Sequence, residues 1–321
     1  MEPGSGEAAG ATAPEAMRPG RGFAVAAALA TFWVSAAIGC VAVRRWRRAL
    51  FWLLTDWAWI VVAVVGSVTG HPRLWWVGLL GFIGWHVPAA VDSYCVVARA
   101  RARSEVTWPT LIKAWVVLTV GAIVMAAGVI RPFFAEAFQM PSASMFPTLV
   151  VGDHIMVDKL RHSVRRGDVV VFKWPPDPKI DYVKRVVGLP GDVVEMADGH
   201  LSINGVALAR ERFQDDCPKG PDGTAVFDQA TACVLWHETL DGRTYDIGTE
   251  PVFGQRSFHR AVVPAGAVFV LGDNRDNSSD SRMWGPVPLA NVKGVVRFIW
   301  WSSAGRRIRD VRWERVDTLV R

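Results

Sequence analysis

Residues 153–203 read DHIMVDKLRHSVRRGDVVVFKWPPDPKIDYVKRVVGLPGDVVEMADGHLSI. The runs His154–Lys159, Asp168–Trp174, Tyr182–Val187, Val193–Met196 and Leu201–Ile203 are short, rich in β-branched and aromatic residues, and bounded by Gly, Pro and Asp. No strong helical period interrupts them. Val268–Leu271 and Val292–Trp300 repeat the pattern downstream. This spacing predicts a mainly-β domain of coiled antiparallel sheets, or a barrel-like sandwich, over residues 132–321, with a looser insertion at about 207–262.

Upstream the composition changes. Residues 23–130 are dominated by Ala, Val, Leu, Ile and Trp. Four apolar stretches, at about 23–43, 50–68, 74–97 and 109–130, each approach the roughly 20 residues needed to cross a hydrocarbon core. The third carries His86, Pro88 and Asp92, so it is kinked, packed inside a bundle or re-entrant, and the region 23–131 counts three or four transmembrane helices. Arginines cluster at the ends of these stretches: Arg44, Arg45, Arg47 and Arg48, then Arg99, Arg101 and Arg103. The positive-inside rule puts both clusters on the cytoplasmic face and everything after residue 131 outside. Residues 1–22, rich in Gly, Ala, Pro and Glu, read as a disordered tail on that outer side.

The net charge of +6 is accounted for largely by this placement, and no DNA-reading motif appears, so no nucleic-acid partner is expected. The basic tail Arg306–Arg321 reads as a solvated or lipid-facing surface. Phe133, Phe134, Trp300 and Trp301 are candidates to dip into the bilayer interface, with ordinary core packing the alternative for the two tryptophans. Of the four cysteines, Cys40 and Cys95 fall in apolar stretches. Cys217 and Cys233 lie in the second half, where an oxidising compartment lets them pair; two independent small residues is the other reading. No metal-ligand spacing such as CxxC or HExxH is present, and neither metal nor cofactor is expected.

Three segments concentrate polar groups in an apolar frame: Gln139-Met-Pro-Ser-Ala-Ser-Met-Phe-Pro-Thr-Leu149, Tyr182-Val-Lys-Arg-Val-Val-Gly-Leu-Pro-Gly-Asp192 and Gly272-Asp-Asn-Arg-Asp-Asn-Ser-Ser-Asp-Ser-Arg282. Each alone is ordinary: a turn serine, a surface lysine, a polar loop. In residues, order and spacing together they resemble signal peptidase I over essentially the whole second half of the chain. That resemblance implies a membrane-bound serine endopeptidase that removes signal (leader) peptides from exported preproteins during secretion. It implies Ser144 as the acyl-forming nucleophile and Lys184 as its general base, with Ser142 giving a hydroxyl to the oxyanion hole and Ser278 orienting the lysine. The Ser144 N–H would be the second oxyanion donor. Asp273, Asp280, Arg185 and Arg282 are read as structural ion pairs. Phe138, Met140, Met145, Tyr182 and Val183 are candidates for the substrate pocket, where small residues such as Ala are expected at the first and third positions before the cut.

The chemistry is coherent in its own terms. A serine hydroxyl is a poor nucleophile until a neighbouring base takes its proton, and Ser–Lys pairs are an alternative to Ser–His–Asp. A lysine acts so only when neutral, which requires its pKa of about 10.4 to fall by roughly 2–3 units, and burial supplies such a shift. A carboxylate close to Lys184 would oppose it. None of the seven histidines lies in the three segments and Ser144 is not in a Gly-x-Ser-x-Gly elbow, although spacing alone leaves His154 and His259 open as bases.

The partners implied are exported preproteins and the lipid bilayer, with the translocation machinery as a further open one. The implied location is a bacterial-type cytoplasmic (inner) membrane, multi-pass, with the peptidase domain extracytoplasmic. Rival readings are a polytopic binding protein that keeps a protease fold, a self-cleaving repressor, and a processing protease for one pilin-like or secreted substrate.

Overall fold

The computed structural model describes residues 44–101, 108–125, 134–161, 163–214, 233–250, 257–305 and 307–320, with Ala37, Cys40, Val41 and Gly128. The tail 1–22, most of the first apolar stretch, Phe133 and Cys217 lie outside the described residues.

Among the described residues, the helices α1 (Trp46–Thr69), α2 (Pro72–Arg101) and α3 (Trp108–Met125) precede the strands. Among the described residues, α1 and α2 are long and apolar enough to cross a membrane. The third apolar stretch forms one continuous helix, α2, with Pro88 inside it. Its carboxylate is not left bare. Asp92 accepts hydrogen bonds from Trp52 Nε1 at 2.9 Å and Arg48 Nη1 at 3.1 Å, and Cys40 Sγ lies 3.6 Å away. A charge in an apolar bundle requires such partners.

By compactness the chain divides into two units, residues 1–60 with 79–125, and residues 61–78 with 126–321. Within the second, Trp76 Nε1 donates to Asp317 Oδ1 at 2.5 Å, and the Trp75 ring lies 5.6 Å from Trp300 and 6.3 Å from Phe298. Trp300 also meets His154 at 5.4 Å, and Trp301 meets Trp313 at 5.8 Å, so both tryptophans pack against other aromatic rings.

The strands are β1 (Ala135–Gln139), β2 (Asp153–Asp158), β3 (Val169–Lys173), β4 (Asp181–Gly188), β5 (Val193–Ala197), β6 (His200–Ile203), β7 (Val206–Ala207), β8 (Ala209–Gln214), β9 (Val234–Leu240), β10 (Arg243–Thr249), β11 (Phe258–Val262), β12 (Ala267–Leu271), β13 (Val287–Pro288) and β14 (Val292–Ser302). A one-turn helix, α4 (Ser281–Trp284), sits between β12 and β13. Seven strands form one antiparallel sheet in the order β1-β2-β14-β3-β4-β12-β13; β11-β5-β6-β7 and β10-β9-β8 form two smaller ones. β14 shifts register three times along its length, and each bulge adds bend and twist, which curls the large sheet. A core of valines on β3, β4, β12 and β14 fills one side of the curl, and Met140, Met145, Leu149, Ile155 and Ile299 fill another.

Within the region 207–262, the described residues 207–214, 233–250 and 257–262 are built largely of strands: β8, β9 and β10 pair along nearly their full lengths, and β11 pairs with β5. Leu240, Tyr245 and Ile247 from this sheet join the core of Val187, Val194, Leu201 and Phe269. The exposed character of β8, four of whose six residues are charged or polar, hid its strand nature from pattern reading. The basic tail is also engaged in part, since Arg315 Nη2 and Arg312 Nη2 stand 2.6 and 3.9 Å from the fully buried Asp153.

Candidate active site

After β1 the chain turns through residues 141–149, held by Phe146 N–H to Ala143 O at 3.0 Å and Leu149 N–H to Met145 O at 2.9 Å. Met145, Phe146 and Leu149 are buried and anchor this turn, which leaves Ser144 partly exposed and Ser142 exposed. The two hydroxyl oxygens are 3.3 Å apart.

Lys184 lies on β4, whose neighbours β3 and β12 cover it on both edges. Its Nζ donates to Ser144 Oγ at 2.7 Å and to Val183 O at 3.0 Å. The side chain is almost wholly removed from water, and burial pushes the amine down from 10.5 to about 8. Asp280 and Asp273 pull it the other way, and Arg282 offsets part of that pull. Burial wins because both carboxylates have other partners. Arg185 takes Asp273 through Nε and Nη2, at 2.8 and 2.7 Å. Arg282 takes Asp280 through the same pair of nitrogens, each at 2.8 Å. Arg185 stays charged although fully buried: burial alone would lower its pKa, and Asp273 more than reverses that.

The loop after β12 closes around the turn that carries Ser144. Asn274 N–H donates to Ser144 O, and Asn274 Nδ2 to Ala143 O, each at 3.2 Å. Asp280 receives Gly272 N–H at 3.0 Å and caps α4. A Cβ on Gly272 would collide with Ser278 Oγ and with the backbone oxygen of Ser144, so only glycine lets this loop and the Ser144 turn approach so closely. Ser278 is the side chain in that contact. Its Oγ is buried and has no hydrogen-bond partner among the described residues, because Lys184 Nζ directs its bonds to Ser144 and Val183.

The pocket candidates separate into two groups. Phe138, Met140, Met145 and Val183 share one apolar cluster beside Ser144. Tyr182 does not join it. Side chains alternate along a strand, so Tyr182 projects with Lys184, its ring 5.4 Å from Nζ, and stacks on Trp174 at 5.2 Å. Tyr182 packs instead against the cluster of Val170, Phe172 and Val186, and forms part of the apolar wall beside the lysine.

Pattern reading missed several groups. Thr148 Oγ1 donates to Asp273 Oδ2 at 2.5 Å and accepts from Arg185 Nη2 at 3.2 Å, which completes the ion pair; its place in the Ser144 segment was the available signal. Arg275, Glu238 and Tyr245 form a second buried network. Arg275 Nη1 donates to Glu238 Oε1 at 2.8 Å, its Nη2 pairs with Oε2, and Tyr245 Oη donates to Oε2 at 2.8 Å. The Tyr245 ring also lies 3.9 Å under the Arg185 guanidinium. Nothing in the order of residues links β9 and β10 to the loop at 272–282; only the fold does. His154 and His259 sit on β2 and β11, and the polar side chains found at Ser144 Oγ are Lys184 and Ser142. Cys233 is disulfide-bonded, whereas Cys40 and Cys95 are free thiols.

Residues 112–301 match a family model described as signal peptidase, peptidase S26. A signal peptidase I of Pseudomonas fluorescens is 38% identical over 206 residues, which cover 54% of this chain and 67% of that protein. One from Aquifex aeolicus (strain VF5) is 36% identical over 212 residues, covering 56% and 81%. A solved signal peptidase I structure from Enterococcus faecalis V583 is 31% identical and covers 41% of this chain and 96% of its own, with a TM-score of 0.25.

Proposed function

The chain belongs to the signal peptidase family, peptidase S26, and from that premise we propose how its residues divide the work of cutting signal peptides from preproteins. It is a membrane-anchored serine peptidase with preproteins as substrates. The observation that carries the assignment is the 2.7 Å contact between Ser144 Oγ and a buried Lys184 Nζ whose pKa has fallen to about 8.

In this reading neutral Lys184 accepts the Ser144 proton as Oγ attacks the scissile carbonyl. The lysinium then returns that proton to the leaving amine, and a water activated by the same amine clears the acyl-enzyme. The Ser144 N–H and the Ser142 hydroxyl supply the oxyanion donors. Ser278, buried against the Gly272 turn, offers an oxygen to the lysinium once its bond to Ser144 is given up. Met140, Met145 and Val183 wall the pocket for the residue before the cut. Arg185–Asp273 and Arg282–Asp280 hold the loop in place and keep two carboxylates from holding Lys184 protonated. Cys217 is assigned as the partner of Cys233, being the remaining cysteine once Cys40 and Cys95 are free. The bilayer is that of an inner membrane, with residues 132–321 on the extracytoplasmic side, next to substrates whose leaders are themselves in the membrane.

The test is cleavage by the full chain in detergent of a preprotein with an Ala-x-Ala site. Wild type should cut after the second alanine, and Ser144→Ala and Lys184→Ala should each lose cutting. An active Lys184→Ala variant would refute the assignment of the base.

A further inference from the structure

An extended peptide repeats its side-chain direction every two residues, about 6.6 Å along the strand. The two walls of the apolar cluster beside Ser144 have the same period. Phe138 on β1 and Met140 just after it are two residues apart and join one cluster, and on β4, Val183 and Asp181 share a face. If Met140 and Val183 flank the residue before the cut, Phe138 and Asp181 flank the one two positions earlier.

One side chain touches both members of that second rung. Lys293 Nζ lies 2.7 Å from Asp181 Oδ2 and 5.4 Å from the centre of the Phe138 ring. It reaches this place because it is the extra residue of a bulge: Val292 pairs with Phe172 and Gly294 with Val171, which leaves Lys293 unopposed between them. Bulges re-aim a side chain in this way. The ion pair is a quarter to a third exposed, so it stands at the solvent margin of the cluster and not in the core.

We propose that Lys293 is a specificity-determining residue: tethered by Asp181 and laid over Phe138, it narrows the groove at the third residue before the cut and restricts that residue to a small side chain. The inference rests on the peptidase reading above and adds to it the group that sets the width. The tether is a partly exposed ion pair, a class worth about 1 kcal/mol or less, so the restriction it imposes is modest, about three- to fivefold in relative rate.

The experiment measures kcat/KM for two peptides that differ only at that position, Ala-x-Ala and Leu-x-Ala, within single preparations of wild type, Lys293→Ala, Lys293→Met and Asp181→Asn full-length protein in detergent. The ratio of the two values is independent of how much of each preparation is folded. The expected result is a Leu-to-Ala ratio raised about three- to fivefold in Lys293→Ala and raised also in Asp181→Asn, which frees the lysine from its tether. Ratios equal to wild type in both Lys293→Ala and Lys293→Met, with Ala-x-Ala still cut, overturn the proposal while leaving the peptidase reading intact. A wild type that cuts neither peptide removes the peptidase reading itself, and this inference with it.

Discussion

The protonation state of Lys184 is the sharpest point at which the structure meets a rate. Burial lowers its pKa from 10.5 to about 8, a difference of about 3 kcal/mol between the charged and neutral forms. With a pKa of about 8 the neutral fraction is about 1% at pH 6, about 10% at pH 7 and about half at pH 8. If neutral Lys184 is the base, kcat/KM should climb about fiftyfold from pH 6 to pH 8 and only about twofold more by pH 10. A lysine left at 10.5 would be neutral in only about 0.3% of molecules at pH 8, and the rate would still rise nearly tenfold between pH 9 and pH 10. The assay is initial-rate kcat/KM on a peptide without titrating groups, at constant ionic strength, each point repeated after return to pH 8 to exclude inactivation. A limb still rising nearly tenfold between pH 9 and pH 10 would show that burial does not depress this lysine. A flat profile between pH 6 and pH 8 would show that it is not the base.

The same shift appears in stability. The folded-state pKa of Lys184 lies below the unfolded one, so the unfolded chain binds more protons between the two values, and this group adds stability as pH rises from about 8 to 10.5. Lys184→Met should accordingly be more stable than wild type at pH 7 by about 1–3 kcal/mol, the gap closing toward pH 10, as read from denaturant midpoints in the two proteins. Glu238→Ala leaves Arg275 buried without its carboxylate and should cost about 3–5 kcal/mol in the same measurement, although Glu238 lies in the segment whose pattern reads as a looser insertion. Gly272→Ala forces Ser278 and the Ser144 backbone apart, so kcat should fall about a hundredfold or more with little change in thermal midpoint. An active Gly272→Ala enzyme would mean that the approach of loop and turn is not needed.

How far the sequence disclosed this arrangement depends on what kind of signal each part carries. The strands on β2 to β6, β12 and β14 were legible because one or both of their faces are buried, so apolar residues mark them directly. β8 was not, because most of its residues are polar and it is stabilised by pairing with β9. Arg275, Glu238 and Tyr245 were not, because a buried ion pair joins residues 37 apart in the chain and leaves no local pattern. The segments around Ser144, Lys184 and Gly272 were conspicuous as polar runs in an apolar frame. What no spacing disclosed is the orientation of Tyr182, which depends on which face of β4 is turned toward Ser144.

That orientation also explains why a lysine followed by an arginine belongs at this place. Two adjacent cations on a helix surface would share one environment, whereas on a strand they face opposite ways. Lys184 is turned to the Ser144 hydroxyl and to the rings behind it, and Arg185 to Asp273, Thr148 and Tyr245. Asp273 is thus paired with the residue that follows Lys184 in sequence, and Asp280 with Arg282 two residues on. Each arginine has to stay charged in a buried place for the lysine to lose its charge in one. Replacing either arginine with an apolar residue would leave a buried carboxylate free to hold Lys184 protonated. The pleat of β4 thus divides one charged dipeptide into a lysine whose burial favours the neutral form and an arginine that occupies the neighbouring carboxylate.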